Sequence, residues 1–185
     1  MAHLPRGGCY IGAMPVTPKL RCSPLQPGFR VVLVEPEIPP NTGSIARTCA
    51  ATQSPLHLIE PLGFRIDDRS LKRAGIDYWH LVDVHTHPSF HAFTQQHPAA
   101  RLHFLSSEAE RSYLEADFAP GDALVFGKES VGLPRELLKA HPDRVWGIPT
   151  SGGVRSLNLS NAVAIVLFEA LRKQGALAET FTTRA

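Results

Sequence analysis

Three stretches of the chain carry polar side chains at spacings that suit chemistry. The first, Pro36-Glu37-Ile38-Pro39-Pro40-Asn41-Thr42-Gly43-Ser44-Ile45-Ala46-Arg47, leaves an apolar run and enters a helical pattern. Its prolines stiffen the exit, Asn41 or Thr42 is placed to cap a helix over 43–52, and Arg47 falls about one turn in. A cation near a helix N-terminus opposes the macrodipole, which points to an anionic partner such as a phosphate. A solvated arginine on an ordinary capped helix is the plain alternative.

The second stretch, Leu124-Val125-Phe126-Gly127-Lys128-Glu129-Ser130-Val131-Gly132-Leu133-Pro134, reads as a buried strand opening into a glycine-punctuated loop. Glycine tolerates positive φ and lets main chain approach a flat ring closely, although a tight turn needs the same residues. In the third, Ile148-Pro149-Thr150-Ser151-Gly152-Gly153-Val154-Arg155-Ser156-Leu157-Asn158-Leu159-Ser160-Asn161-Ala162, a Ser-Gly-Gly hinge precedes Ser156, Asn158, Ser160 and Asn161. That is more small polar side chains than one N-cap uses, so a polar ligand or substrate is expected beside a simple cap. Neither the G-x-G-x-x-G dinucleotide fingerprint nor a Walker-type phosphate loop occurs in the chain.

The elements that must position these loops alternate. Residues 29–35, 56–59, 81–85, 102–105, 123–126 and 145–148 read as strands, and 43–52, 70–74, 89–96, 134–138 and 157–174 as helices. Such alternation predicts an α/β fold with a mostly parallel sheet and helices on both faces, with ligands beyond the carboxyl ends of the strands.

At 43% hydrophobic and 19% charged residues the chain has material for a core and lies far from disordered composition. Residues 1–28 hold Pro5, Pro15, Pro18, Pro24 and Pro27, three basic groups and no acid, and read as a flexible leader; 29–175 read as one domain and 176–185 as a flexible tail. Outside the leader acids exceed bases by one, so any nucleic acid must be held by a local patch or a dimer groove rather than by a global field. No stretch is apolar enough to span a membrane, and three cysteines at no zinc spacing suit a reducing cytoplasm. His85, His87 and His91 cluster in sequence but away from the three loops, and no metal is expected.

Taken together, N-x-G-x-x-x-R (41–47), L-x-x-G-x-E-x-x-G-L (124–133) and I-P-x-x-x-x-x-R-S-L-N-L-S-N-A (148–162) resemble, in order and spacing, the TrmH-type ribose 2′-O-methyltransferases of the SPOUT superfamily. Glu35–Gly43, Ile59-Glu60-Pro61-Leu62-Gly63-Phe64 and Arg73-Ala74-Gly75-Ile76-Asp77-Tyr78-Trp79 are similar to the small single-domain subgroup that methylates the wobble nucleotide of tRNA. The resemblance covers roughly residues 29–175.

It implies a deep C-terminal trefoil knot, S-adenosyl-L-methionine as methyl donor, a homodimer and the tRNA anticodon stem-loop as substrate. Residue by residue, it implies a donor cleft at Leu105, Gly127, Ile148, Ser156 and Leu157, and a catalytic role for Arg47. A guanidinium stays protonated at physiological pH, so a bidentate clamp on the target phosphate is the expected role rather than a general base. Asn41, Glu129, Arg155 and Asn158 are expected to hold the loops and the target nucleotide. Arg73, with Arg65, Arg69 and Lys72, is a candidate phosphate patch, and Tyr78 and Trp79 are candidates for stacking on an anticodon base. The competing readings are an enzyme of the same type acting on ribosomal RNA or another tRNA position, a non-catalytic RNA-binding knot protein and, at the level of fold, a Rossmann-type dehydrogenase.

Overall fold

Runs of four or five β-branched or aromatic residues, too short to complete a helix, form the strands here, and longer segments with an apolar stripe form the helices. The computed structural model of the protein describes residues 18–65 and 81–184. In chain order these give β1 (Pro18–Cys22), β2 (Arg30–Val34), α1 (Pro39–Thr52), β3 (Leu56–Ile59), β4 (Val84–His87), α2 (Phe90–Gln96), β5 (Leu102–Leu105), β6 (Ala123–Phe126), α3 (Arg135–Ala140), β7 (Val145–Trp146), α4 (Leu159–Lys173) and β8 (Thr180–Arg184).

Six strands form one sheet in the order β4-β3-β2-β6-β5-β7, and every pairing in it is parallel. The chain runs outward from β2 through β3 to β4, returns to β5 and places β6 between β5 and β2. The loops that leave β2 and β6 therefore emerge side by side at the middle of the carboxyl edge, where open parallel sheets bind ligands.

Both faces of the sheet are covered, which is why the central strands are apolar throughout. On one face Val31, Leu33, Leu56, Leu58, Leu124 and Phe126 pack against Ile45, Ala46 and Cys49 of α1 and Val163, Val166, Leu167, Ala170 and Leu171 of α4. On the other, Val32, Val34, Ile59, Phe104 and Val125 meet Phe93 of α2, with Leu133, Leu137 and Leu138 at the start of and along α3. At about 1.5–3 kcal/mol for each fully buried large apolar side chain, these two layers are the main source of stability. One polar network lies within them: buried Asp122 accepts from Arg101 Nη2 at 2.8 Å and Ala119 N at 2.7 Å and pairs with His103 Nε2 at 2.9 Å. Trp146 Nε1 donates to His103 Nδ1 at 3.1 Å, which leaves Nε2 as the protonated nitrogen and the ring neutral and fully satisfied.

The α/β reading with a mostly parallel sheet matches this architecture, with shifts at several ends. β4 begins at Val84 rather than 81, β7 keeps two residues, and α1 begins at Pro39, four residues before the expected start. The helix expected over 70–74 lies outside the described residues. Pro18–Cys22 and Thr180–Arg184, expected to lack regular structure, pair as an antiparallel two-stranded sheet; alternating Thr, Leu and Phe side chains suit extended backbone even where prolines are frequent nearby. Among the described residues no helix is long and apolar enough to cross a membrane.

Candidate functional site

The first loop is built by its prolines. Pro39 and Pro40 occupy the first two helical positions of α1 and have no N–H to satisfy. The next two donors, Asn41 N and Thr42 N, both reach Ile38 O, at 3.0 and 3.3 Å. No side-chain cap forms, so the expectation that Asn41 or Thr42 caps the helix is corrected. Asn41 sits inside the first turn, and its carboxamide is available to other loops. Its Nδ2 donates to Glu129 Oε1 at 2.9 Å and its Oδ1 accepts from Asn158 Nδ2 at 3.0 Å.

Glu129, in the loop after β6, joins the first two loops. Besides Asn41 it accepts from Glu37 N at 2.8 Å and Ile38 N at 3.2 Å. Ser130 N donates back to Glu37 Oε2 at 3.0 Å, so the two loops are pinned reciprocally. Lys128 Nζ reaches Glu35 Oε2 at 2.8 Å, and that hydrogen bond raises the lysine's pKa. Glu35 itself turns the chain out of β2 with a left-handed φ of 52°, an uncommon conformation for a non-glycine residue.

The third loop joins through Asn158, the N-cap of α4, whose Oδ1 accepts from Ser160 N at 2.9 Å and Ser160 Oγ at 2.6 Å. The amide orientations are fixed by chemistry at both ends of the chain of bonds. A backbone N–H at Ser160 demands an oxygen from Asn158, and the Glu129 carboxylate, which only accepts, demands the nitrogen of Asn41. Arg155 Nη2 donates to Ser130 O at 3.2 Å, a contact within the protein that ties the second loop directly to the third.

Two glycines in this region are required by the protein's own backbone. A Cβ on Gly127 would stand 2.1 Å from Gly132 C and 2.2 Å from Leu133 N, because the loop folds back across the end of β6. Positive φ is found at Gly132, at +75°, and not at Gly127. Close approach of its own loop is thus one reason for a glycine at Gly127. Gly63 is pressed in the same way on Glu37, with its Cβ position 2.7 Å from Glu37 Cα.

Leu105 ends β5 and pairs in register with Phe126 on one side and Trp146 on the other. Gly127 follows Phe126, and Ile148 lies two residues beyond Trp146, so Leu105, Gly127 and Ile148 stand at the carboxyl ends of three adjacent strands. They offer aliphatic walls and main chain, a composition that fits a flat, mainly apolar ring. Ser156 is exposed and Leu157 half-buried in the segment leading into Asn158. Arg47 is exposed on α1, one turn beyond Gly43. As the ninth helical residue it stands outside the first turn, and the macrodipole argument for an anion beside it does not hold, since that effect fades within a turn. Cys49, on the same helix, is buried with its thiol pushed up to about 12, so it is no nucleophile. Arg73 and Tyr78, with Arg69, Lys72 and Trp79, lie outside the described residues.

Reasoning from sequence missed the Glu35–Lys128 pair, the Glu37–Ser130 bond and the contact of Gly63. The first two depend on β2 and β6 being neighbours and the third on β2 and β3, which no local pattern reveals. The histidine grouping also changes: His91 is exposed, and among the described residues the imidazoles whose nitrogens come within 4.8 Å of one another are those of His57, His87 and His97.

The profile of the SpoU rRNA methylase family matches residues 28–168. The chain belongs to that family. Within it, the tRNA (cytidine(34)-2′-O)-methyltransferase of Saccharophagus degradans is 49% identical over 148 residues, covering 80% of this chain and 96% of that protein. A solved structure concerned with the 2-OH methylation of C/U34 on tRNA is 48% identical with a TM-score of 0.75, over 80% of this chain and 97% of the other. An AdoMet-bound rRNA methyltransferase from Sinorhizobium meliloti is 26% identical with a TM-score of 0.68, and 61% of it is covered. Like these SpoU relatives, the chain has an α/β fold with a mostly parallel sheet.

Proposed function

We propose that this SpoU-family chain is an S-adenosyl-L-methionine-dependent tRNA (cytidine(34)-2′-O)-methyltransferase, which methylates the ribose 2′-hydroxyl of the wobble nucleotide, cytidine or modified uridine. The observation that carries the reading is the convergence of three loops on the Glu129–Asn41–Asn158 chain of hydrogen bonds. It occurs in a chain that matches nearly the whole length of a relative named for this reaction. Residues 29–175 form the catalytic unit in this reading, closed by a deep trefoil knot at its C-terminal end, in a cytoplasmic homodimer. Ile165 and Phe168, 37% and 45% exposed on the outer side of α4, supply an apolar face for the partner.

Leu105, Gly127, Ile148, Ser156 and Leu157 would hold S-adenosylmethionine, mostly through main chain and aliphatic contacts. Bound there, it supplies a sulfonium methyl group, an electrophile that needs little further activation. The protein's work falls on the nucleophile, since a ribose hydroxyl is weak until its proton is shared or lost. Arg47 clamps the target phosphate with its two-pronged guanidinium and so orients the 2′-hydroxyl, whose proton passes to phosphate or water. Asn41, Glu129 and Asn158 keep the three loops at fixed mutual positions, and Arg155 holds the third loop to the second. Arg73 and Tyr78 serve the anticodon stem-loop, by phosphate contact and by stacking.

The reading is tested by titrating the full chain with S-adenosylmethionine in a calorimeter and then adding tRNA and labelled donor. Stoichiometric donor binding with label transferred to tRNA is expected. Donor binding without transfer to any RNA would turn the reading toward a knot protein that only binds, and no donor binding would overturn it.

A further inference from the structure

On the sheet face covered by α2, at the β4 edge, three imidazoles crowd around Phe93 and a fourth, that of His85, stacks on one of them. His57, in the middle of β3, lies beside His85 of β4 in the parallel register, and their rings stack at 4.9 Å. His87, two residues further on β4 and on the same face, is 5.2 Å from the His57 ring, and His97, the C-cap of α2, is 5.0 Å from it. His57 and His87 are 1% and 2% exposed.

A hydrophobic side chain would fill the place of His57 more cheaply, since Phe93 packs against it on that face. Nor is the group a satisfied hydrogen-bond network. His57 Nδ1 and His87 Nε2 stand 3.0 Å apart, while His57 Nε2 and His87 Nδ1 are buried without a partner. Two neutral imidazoles carry two N–H groups and share one bond, so every choice of tautomers leaves a buried N–H unmade, contrary to the usual rule for interior histidines. Protonation does not explain the group either, because burial and the neighbouring imidazoles disfavour charge on it, as does Arg30. What remains is a set of buried neutral rings with lone pairs close together, the form in which histidine ligates metals.

We infer that His57, His87 and His97 bind one transition-metal dication of the zinc, nickel or copper class, which ties the edge strand β4 to β3 and to the end of α2. The nitrogens of the three residues lie within 4.8 Å of one another. Ligands around tetrahedral zinc, at about 2.0–2.1 Å from the metal, stand roughly 3.3 Å apart. The 3.0 Å pair already meets that spacing, and His97, half-buried where its helix ends, is the ligand with room to close in. A water completes the fourth position, because His85 Nε2 is engaged with Asp83 Oδ1 at 2.9 Å. An all-imidazole set excludes calcium and magnesium, which take oxygen ligands.

The test uses the full chain without an affinity tag, stripped with EDTA and titrated with ZnCl2 by calorimetry. One Zn2+ per chain is expected, with a melting temperature about 5 °C higher at a hundredfold excess over Kd. Co2+ in its place should give visible bands of tetrahedral intensity. His97→Ala, at a half-buried helix end, should fold and weaken binding at least tenfold, whereas His91→Ala should leave it unchanged. Absence of stoichiometric Zn2+ binding by the unaltered chain overturns the inference whatever the variants do, and so does binding that survives in His97→Ala.

Discussion

Arg47 stands two helical turns from the start of α1, on an exposed face. Its proposed work is geometric, and geometry separates arginine from lysine: a planar fork binds phosphate with two parallel bonds, and an ammonium acts as a point charge. Arg47→Lys should therefore keep S-adenosylmethionine affinity and lose methyl transfer by at least about a hundredfold, measured with labelled donor on tRNA. Near-normal turnover would remove the bidentate role. Gly127 makes the opposite kind of claim, because its constraint is steric and internal. Gly127→Ala places a methyl group 2.1 Å from Gly132 C, so the loop that carries Glu129 must shift. A loss of roughly 1–3 kcal/mol in thermal unfolding is expected together with lost donor binding in calorimetry.

At the scale of elements, Asn158 does two jobs that substitution can separate. Asn158→Ala removes the α4 cap, about 1 kcal/mol, and the bond to Asn41. Asn158→Asp keeps the cap, since aspartate caps as well as asparagine, but cannot donate to Asn41 Oδ1. Melting temperature should fall in the first variant and stay near the starting value in the second, while methyl transfer falls at least tenfold in both. The β3–β4 edge makes a pH-dependent contribution through His57, which burial and then the neighbouring imidazoles and Arg30 lower from 6.5 to about 3. The unfolded chain takes up this proton below about 6.5 and the native metal-free protein refuses it until about 3, so stability is full above that range and declines as pH falls through it. For His57 alone the loss comes to about 2 kcal/mol at pH 5. Asp122, held low by His103 and Arg101 against its burial, loses its contribution only in more acidic solution. Thermal melts from pH 8 to pH 5 should show a decline that His57→Leu reduces.

For the molecule as a whole, the sequence was most legible where one physical cause acts alone. Val31 to Val34 and Leu124 to Phe126 are apolar at every position, and only a strand covered on both sides accommodates that. The apolar stripe from Val163 to Leu171 likewise named the inner face of α4. Pro39-Pro40 misled because prolines open helices as readily as they stiffen loops, and only the Ile38 carbonyl bonds distinguish the two. The site was legible as three motifs and illegible as a mechanism of assembly. That Glu129 holds Glu37, Ile38 and Asn41 depends on contacts across about 90 residues, and that His57 and His97 join His87 depends on packing a helix onto a sheet. Residues grouped by sequence proximity, as His91 was, carry no such information.

Position on the substrate decides the reading, because donor binding and a fold shared with SpoU relatives are compatible with many RNA targets. The direct measurement is mass spectrometry of anticodon-loop fragments from unmodified tRNA incubated with the full chain and isotopically labelled S-adenosylmethionine. One labelled methyl group is expected on the ribose 2′-oxygen of nucleotide 34, absent with Arg47→Ala. Label on a base, on another ribose or only on ribosomal RNA would contradict it.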